Sequence, residues 1–238
     1  MIRSFADAWK EIWRFALPLE QTEEVEPPRP LWIIRFLPLA GLALGLALWL
    51  GAVLVEALVP QQIAAAAVIA IGVPALYHWL TAGRSLKALS DICREIAVNR
   101  AAASDQLVGI LAVQGILVLQ IFATAVLALT ANLWWLVLAP MLGATAYAEL
   151  LNSEINSPDA NDDTGPVHWY IAAGVAILIS GLHGQLIAGL FVLLIAWLLG
   201  PALGRFLASR STADSGLRAR AAFHAVEILV LWVGVLAA

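Results

Sequence analysis

FLPLAGLALGLALWLGAVLVEAL, residues 36–58, carries one charged side chain, Glu56, placed near its end. A helix needs roughly 20 predominantly apolar residues to cross about 30 Å of hydrocarbon, so this stretch predicts a membrane span. Six further stretches of similar character follow at 61–80, 107–129, 131–151, 167–182, 185–207 and 221–238. The chain therefore reads as all-α, a polytopic helical membrane protein of about seven transmembrane helices. Two spans leave an alternative open: 167–182 is short and contains glycine, and 221–238 ends with the chain, so either is a full or a half crossing. Composition agrees, since 62% of the 238 residues are apolar and 13% are charged, where a soluble domain carries about 25% charge. A soluble enzyme is excluded. The formal charge is −4 and no run of Lys or Arg is dense enough to track a phosphate backbone, which excludes nucleic acid as a partner and leaves the lipid bilayer as the first one.

The connectors divide sharply by charge. Residues 60–62, 130–132 and 183–185 carry no Lys or Arg, whereas 1–35, 81–106 and 205–220 hold all thirteen. Basic connectors face the cytoplasm, and seven crossings place them all on that side, with the amino terminus inside and the carboxyl terminus outside. The acidic loop 152–168 falls inside as well. Polar chemistry is thereby expected at the cytoplasmic face. The lone cysteine, Cys93, lies in one of the basic connectors and reads as an inert thiol.

Three segments follow from the same reading. Residues 1–17 form an amphipathic helix, because Phe5, Trp9, Ile12 and Trp13 recur at helical spacing with Arg3, Lys10 and Arg14 off that stripe. Asp7, Lys10 and Glu11 rule out a cleavable signal. Such a helix rests in the headgroup region, or alternatively packs on the bundle. Residues 18–35 form an acidic, Pro-rich linker, and 36–238 the transmembrane helical domain. Gly41 with Gly45 and Gly200 with Gly204 are small residues four apart, suited to close helix packing. Pro74 and Pro140 should open their helices locally and face the interior, where protein groups satisfy the freed carbonyls. Ten tryptophans, among them Trp79, Trp134, Trp135, Trp169 and Trp232, are read as an interfacial belt.

Landmarks along the whole chain resemble those of the cobalamin synthase family. Phe36 to Gly45 is similar to that family's Phe-Pro-Leu-x-Gly-x-x-x-Gly opening, Tyr77-His78 to its aromatic-His pair, and Ala139-Pro140-Met141-Leu142-Gly143 to its Ala-Pro-x-Leu-Gly. Ala221-Ala222 through Glu227 is similar to its closing Ala-Ala-x-Glu-x-x-Glu helix. The resemblance implies a bacterial inner-membrane transferase that joins a ribazole nucleotide to GDP-activated cobinamide, with carboxylates holding Mg2+ against a diphosphate. The carboxylates implied are missing. The family's three Asp positions read Leu80, Arg84 and Lys87; its Arg-Asp-x-Arg-x-Gly keeps Arg100 but has Ala101, Ala103 and Asp105; its fourth-span Arg is Ala144. Its Gly-Asp-Thr reads Gly216-Leu217-Arg218, and its first closing Glu is His224, leaving Glu227.

The expectation is a degenerate relative that acts as a non-catalytic subunit or scaffold beside a membrane protein partner, with no cofactor. The alternative is an active transferase using Arg84, Lys87, Arg100 and Glu227 in altered roles, with Mg2+. Asp159, Asp162 and Asp163 are the remaining metal candidates, although the pattern lacks a calcium loop's Gly and Glu, which fall on Thr164 and Tyr170. Glu149 and Glu154 join them in a possible displaced Mg2+ site. A further alternative is a subunit contacting haem or a chlorin through His183 or His224. Glu227 is the one charge well inside a span, and burying it unpaired costs about several kcal/mol. Its sequence-nearby partners are His224 and Arg220.

Overall fold

The computed structural model describes residues 2–13, 30–98, 105–155, 166–213 and 215–238. Among them are nine helices and no strand: α1 (Ile2–Ile12), α2 (Pro30–Leu58), α3 (Gln62–Leu80), α4 (Arg84–Val98), α5 (Asp105–Leu129), α6 (Trp135–Ile155), α7 (Val167–Leu182), α8 (Leu186–Arg210) and α9 (Ser215–Ala237). Each of the seven expected spans falls on one helix. Five of them, in α2, α3, α5, α8 and α9, are long and apolar enough to cross a membrane. The 16 residues of α7 are apolar but short. The remaining helix, α6, is the central post, with every residue from Leu133 to Ala148 buried.

Glycine sets how closely α2 approaches that post. A Cβ on Gly41 would lie 2.4 Å from the Pro140 carbonyl oxygen and 2.7 Å from the Ala144 Cβ, and one on Gly45 would lie 2.5 Å from the Val137 carbonyl oxygen. Any side chain there would push the two backbones apart. On the other flank, Gly200 of α8 stands against Ala146 and Gly204 against Leu150. The four glycines are packing positions, as their spacing suggests.

Hydrogen bonds sort the connectors into two ends. The Gln62 side-chain amide donates to the Leu129 carbonyl at 3.1 Å, and that of Gln185 to Asn132 Oδ1 at 2.9 Å, so the three uncharged hairpins lie together. At the opposite end Arg84 donates to the Lys10 carbonyl at 2.6 Å, Arg220 to Glu11 at 2.7 Å, and the Ser211 and Thr212 hydroxyls to Glu95. Alternation of charge along the sequence has become separation of charge in space, as a bilayer requires.

Several expectations change. The connector 81–106 contains a helix, α4, whose Ser85, Ala88 and Ile92 are buried on α5 and α9 at helical spacing. The helix of the first span begins at Pro30 instead of residue 36, a first-turn position where proline's missing N–H costs nothing. Trp134, Trp135 and Trp169 are buried in the bundle and do not form a belt; Trp135 fills the space left by Gly234. The α1 helix lies on α2, with Ala8, Ile12 and Trp13 buried, Trp9 and Trp13 stacked at 4.2 Å, and Trp13 Nε1 donating to the Ala40 carbonyl at 3.2 Å. The linker residues 18–29 and the acidic positions 159, 162 and 163 lie outside the described residues. Cys93 is partly buried on α4, and that burial pushes its thiol above the usual range, which suits an inert residue.

Candidate functional site

Three helices converge on Glu227. It sits three turns into α9 with its side chain 2% exposed. Gly143 of α6 makes room for it, since a Cβ at that position would lie 2.6 Å from Glu227 Cγ and 2.8 Å from the Phe223 carbonyl oxygen. The Tyr77 hydroxyl on α3 donates to Glu227 Oε2 at 2.5 Å, and His224 Nδ1 lies 3.0 Å from the same oxygen. Ser85, on α4, meets the Tyr77 hydroxyl at 3.2 Å. Because that hydroxyl spends its proton on the carboxylate, Ser85 is the donor in the second bond.

Two histidines complete the cluster. His78 Nε2 lies 3.0 Å from Gln120 Oε1, and the His78 and His224 rings are 5.8 Å apart. An oxygen acceptor at each bonded nitrogen puts the proton on Nε2 of neutral His78 and on Nδ1 of neutral His224. The other ring nitrogens, His78 Nδ1 and His224 Nε2, are then buried with no hydrogen-bond partner among the described residues, as is Glu227 Oε1. Such a concentration of unmet acceptors is costly in a structural core and is suited to receiving a proton or a donor group. Beside Glu227 lies a cavity of about 30 Å³ bordered by Tyr77, Gln120, Thr124, Pro74 and Pro140. That volume holds about one water. Both prolines border it, and each deprives a carbonyl one turn earlier of its helical amide.

A second cluster closes the charged end. Glu11 of α1 accepts from Arg220 Nη2 at 2.7 Å and from the Tyr147 hydroxyl at 3.1 Å. Between this group and Ser85 is a small cavity of about 20 Å³ bordered by Thr81, Arg84 and Phe223. Ser85 therefore touches both the space under α1 and the Tyr77–Glu227 pair. The amino-terminal helix is the lid over the polar interior.

Of the residues singled out from sequence, the structure brings Glu227 and His224 together. Arg220 is not Glu227's partner, because Glu11 takes it. His183 is exposed in the opposite hairpin, stacked 5.0 Å from Trp134, so it shares no site with His224. Arg84 bonds the α1 backbone, and Lys87 is exposed and paired with Asp91 at 2.9 Å. Leu80, at the first of the family's metal positions, is buried among apolar neighbours. Arg100, Asp159, Asp162 and Asp163 lie outside the described residues. Glu149 is engaged by His168 at 2.8 Å and by Trp169 at 3.0 Å. Among the described residues no three His, Cys, Asp or Glu side chains converge as metal ligands. An apolar group and two cations do not fit the magnesium ion that the resemblance implies.

Sequence reading missed Tyr77 as a partner of Glu227, Gly143 as its socket and Glu11 as the lid's anchor. A sequence gives no distance between helices, and only the Tyr77-His78 and Ala-Pro-x-Leu-Gly landmarks marked those positions. A family model described as cobalamin-5-phosphate synthase matches residues 14–235. No curated protein and no solved structure matches the chain.

Proposed function

The chain belongs to the cobalamin-5-phosphate synthase family, and within it we propose a multi-pass membrane protein that has given up metal-dependent ribazole transfer and acts as a scaffold or subunit beside another membrane protein. One observation carries the reading. The positions of the family's metal-holding carboxylates are filled by Leu80, Arg84 and Lys87, and each has a structural occupation: core packing, a bond to α1, and an ion pair along α4. A fold retained after its site chemistry has been replaced is free to serve through contacts. The basic end faces the cytoplasm in this reading, and the membrane is the bacterial inner one.

The test is transfer of ribazole phosphate to GDP-cobinamide by the purified full chain in lipid vesicles with Mg2+, beside a working synthase. No product above background is expected, together with stoichiometric co-purification of a second membrane protein in mild detergent. Magnesium-dependent product would overturn the scaffold reading in favour of the altered transferase. That second reading has its own support in the buried Tyr77–Glu227–His224 group, whose unmet acceptors suit acid–base work. A Glu227→Gln variant separates the two, since only an active transferase loses product with it.

A further inference from the structure

Glu227 lies near the middle of its span, roughly 18 Å along α9 from Ser215 and roughly 15 Å from Ala237 at the helical rise. Both of its hydrogen bonds, from Tyr77 and from His224, fall on Oε2, and Oε1 is buried with no hydrogen-bond partner among the described residues. The two arginines bordering the cavity under α1, Arg84 and Arg220, bond the Lys10 carbonyl and Glu11 instead. The titratable groups around Glu227 are Tyr77 and His78 from α3 and His224 from α9 itself, while α2, α4, α5 and α6 present Leu48, Ser85, Gln120 and Gly143, which carry no charge. Burying a carboxylate without a cation is costly, and a proton removes that charge.

The way in is from the charged end. Toward the uncharged end, the chamber beside Glu227 is closed by the buried side chains of Leu48, Leu136 and Leu231. Toward the charged end stand two hydroxyls in series: Tyr77 Oη is 2.5 Å from Glu227 Oε2, and Ser85 Oγ is 3.2 Å from Tyr77 Oη. The turn between α3 and α4 sets up the second contact, because Ala82 and Gly83 take φ values of 53° and 62° and fold α4 back over Tyr77. That conformation is unfavourable for alanine and is held here all the same. Ser85 also borders the cavity of about 20 Å³ under α1, whose rim includes Glu11 and Arg220, 38% and 35% exposed, so water reaches it. A cavity of that size holds about one water. Thr81 borders it too, but the Tyr77 carbonyl holds its proton at 2.9 Å, which leaves Ser85 as the hydroxyl joining the cavity to Tyr77.

We propose that Glu227 is a proton-binding site loaded from the charged end through Ser85 and Tyr77. A water in the cavity under α1 gives a proton to Ser85 Oγ, the Ser85 proton moves to Tyr77 Oη, and the Tyr77 proton moves to Glu227 Oε2. Each O–H bond broken is matched by one formed, no electron is transferred, and the aqueous phase replaces the proton that the water gives up. Afterwards the two hydrogen bonds run in reverse, from Glu227 to Tyr77 and from Tyr77 to Ser85. The assignment does not depend on whether the chain transfers ribazole, because the proton on the carboxyl group is itself the readout.

The test is an acid jump on the full chain in proton-permeable lipid vesicles, followed by time-resolved infrared spectroscopy. The signal is the C=O stretch of a protonated carboxyl group that Glu227→Gln protein lacks. The band should rise as pH falls, and Ser85→Ala should slow its rise roughly tenfold with the final amplitude kept, the rate equivalent of one lost hydrogen bond. Ser85→Thr should restore the rate, and Thr81→Val, which removes the hydroxyl outside the chain of donors, should leave it unchanged. Glu11→Gln loosens the helix over the cavity and should speed the rise several-fold, so the route is decided even where Ser85→Ala protein does not fold. A Glu227 band that never changes with pH would overturn the site. A rise equally fast in folded Ser85→Ala protein, or one unaltered in Glu11→Gln protein, would overturn the route and the proposal with it.

Discussion

Gly143 and Tyr77 show how much depends on single atoms around Glu227. A methyl group on Gly143 would overlap Glu227 Cγ and the Phe223 carbonyl, and overpacking of this kind costs about 1–3 kcal/mol. Gly143→Ala should therefore lower the thermal midpoint in detergent. Gly115→Ala is the matched control, because nothing lies within 4 Å of the added carbon and a mid-helix Gly→Ala exchange gains about 0.5–1 kcal/mol. A Gly143→Ala protein as stable as the Gly115→Ala one would refute the socket. Tyr77→Phe removes the hydroxyl donor from a buried carboxylate and leaves His224 as the remaining partner. The loss should be about 1–3 kcal/mol, read as a lower unfolding midpoint, whereas an unchanged midpoint would mean that water takes the hydroxyl's place.

Between elements, two carboxylates tie separate segments at the charged end. Glu95 of α4 accepts from Ser211, from the Thr212 amide at 2.5 Å and from the Thr212 hydroxyl at 2.6 Å, which joins α4 to the segment between α8 and α9. The Ser211 bond first, then those from Thr212, hold its carboxyl below the usual range. The folded protein thus keeps this carboxylate ionised where the unfolded chain would bind a proton. Its contribution is fully present above the ordinary carboxylate range and is lost as pH falls through the lowered value. Unfolding midpoints measured against pH should show Glu95→Gln less stable at neutral pH, with the gap closing in acid; a gap independent of pH would contradict the assignment. Glu11 is the second tie, holding α1 to α6 and α9. Both members of its ion pair are partly exposed, at 38% and 35%, which limits the pair to roughly 1 kcal/mol. Glu11→Gln should then speed hydrogen exchange of the α1 amides about fivefold while leaving α6 unchanged, and equal exchange would show that the Trp9 and Trp13 packing and the Arg84 bond to the Lys10 carbonyl hold the lid without it.

For the whole molecule, the legible part of the fold was the part set by the solvent. Apolar length located seven helices, and the distribution of arginine and lysine located two ends, because lipid acts on each segment independently of the others. Contacts between helices depend on geometry instead. The 150-position separation of Tyr77 and Glu227, the burial of Trp135 against Gly234 and the pairing of Arg220 with Glu11 leave no periodic trace, and α4 was hidden because its short amphipathic pattern sits in a basic connector. The two-ended arrangement also makes a prediction about sidedness. In a Cys93→Ser background, cysteines replacing the exposed residues Gln61 and His183 belong to the uncharged end, and those replacing Lys87 and Arg210 to the charged end. If the basic connectors stay in the cytoplasm, a membrane-impermeant maleimide should label positions 61 and 183 in intact cells, and positions 87 and 210 only after permeabilisation. The reverse pattern would invert the orientation while keeping the fold. Labelling of 61 and 183 from opposite sides would break the seven-crossing arrangement itself, because an odd number of crossings would then separate two hairpins that the uncharged end holds together.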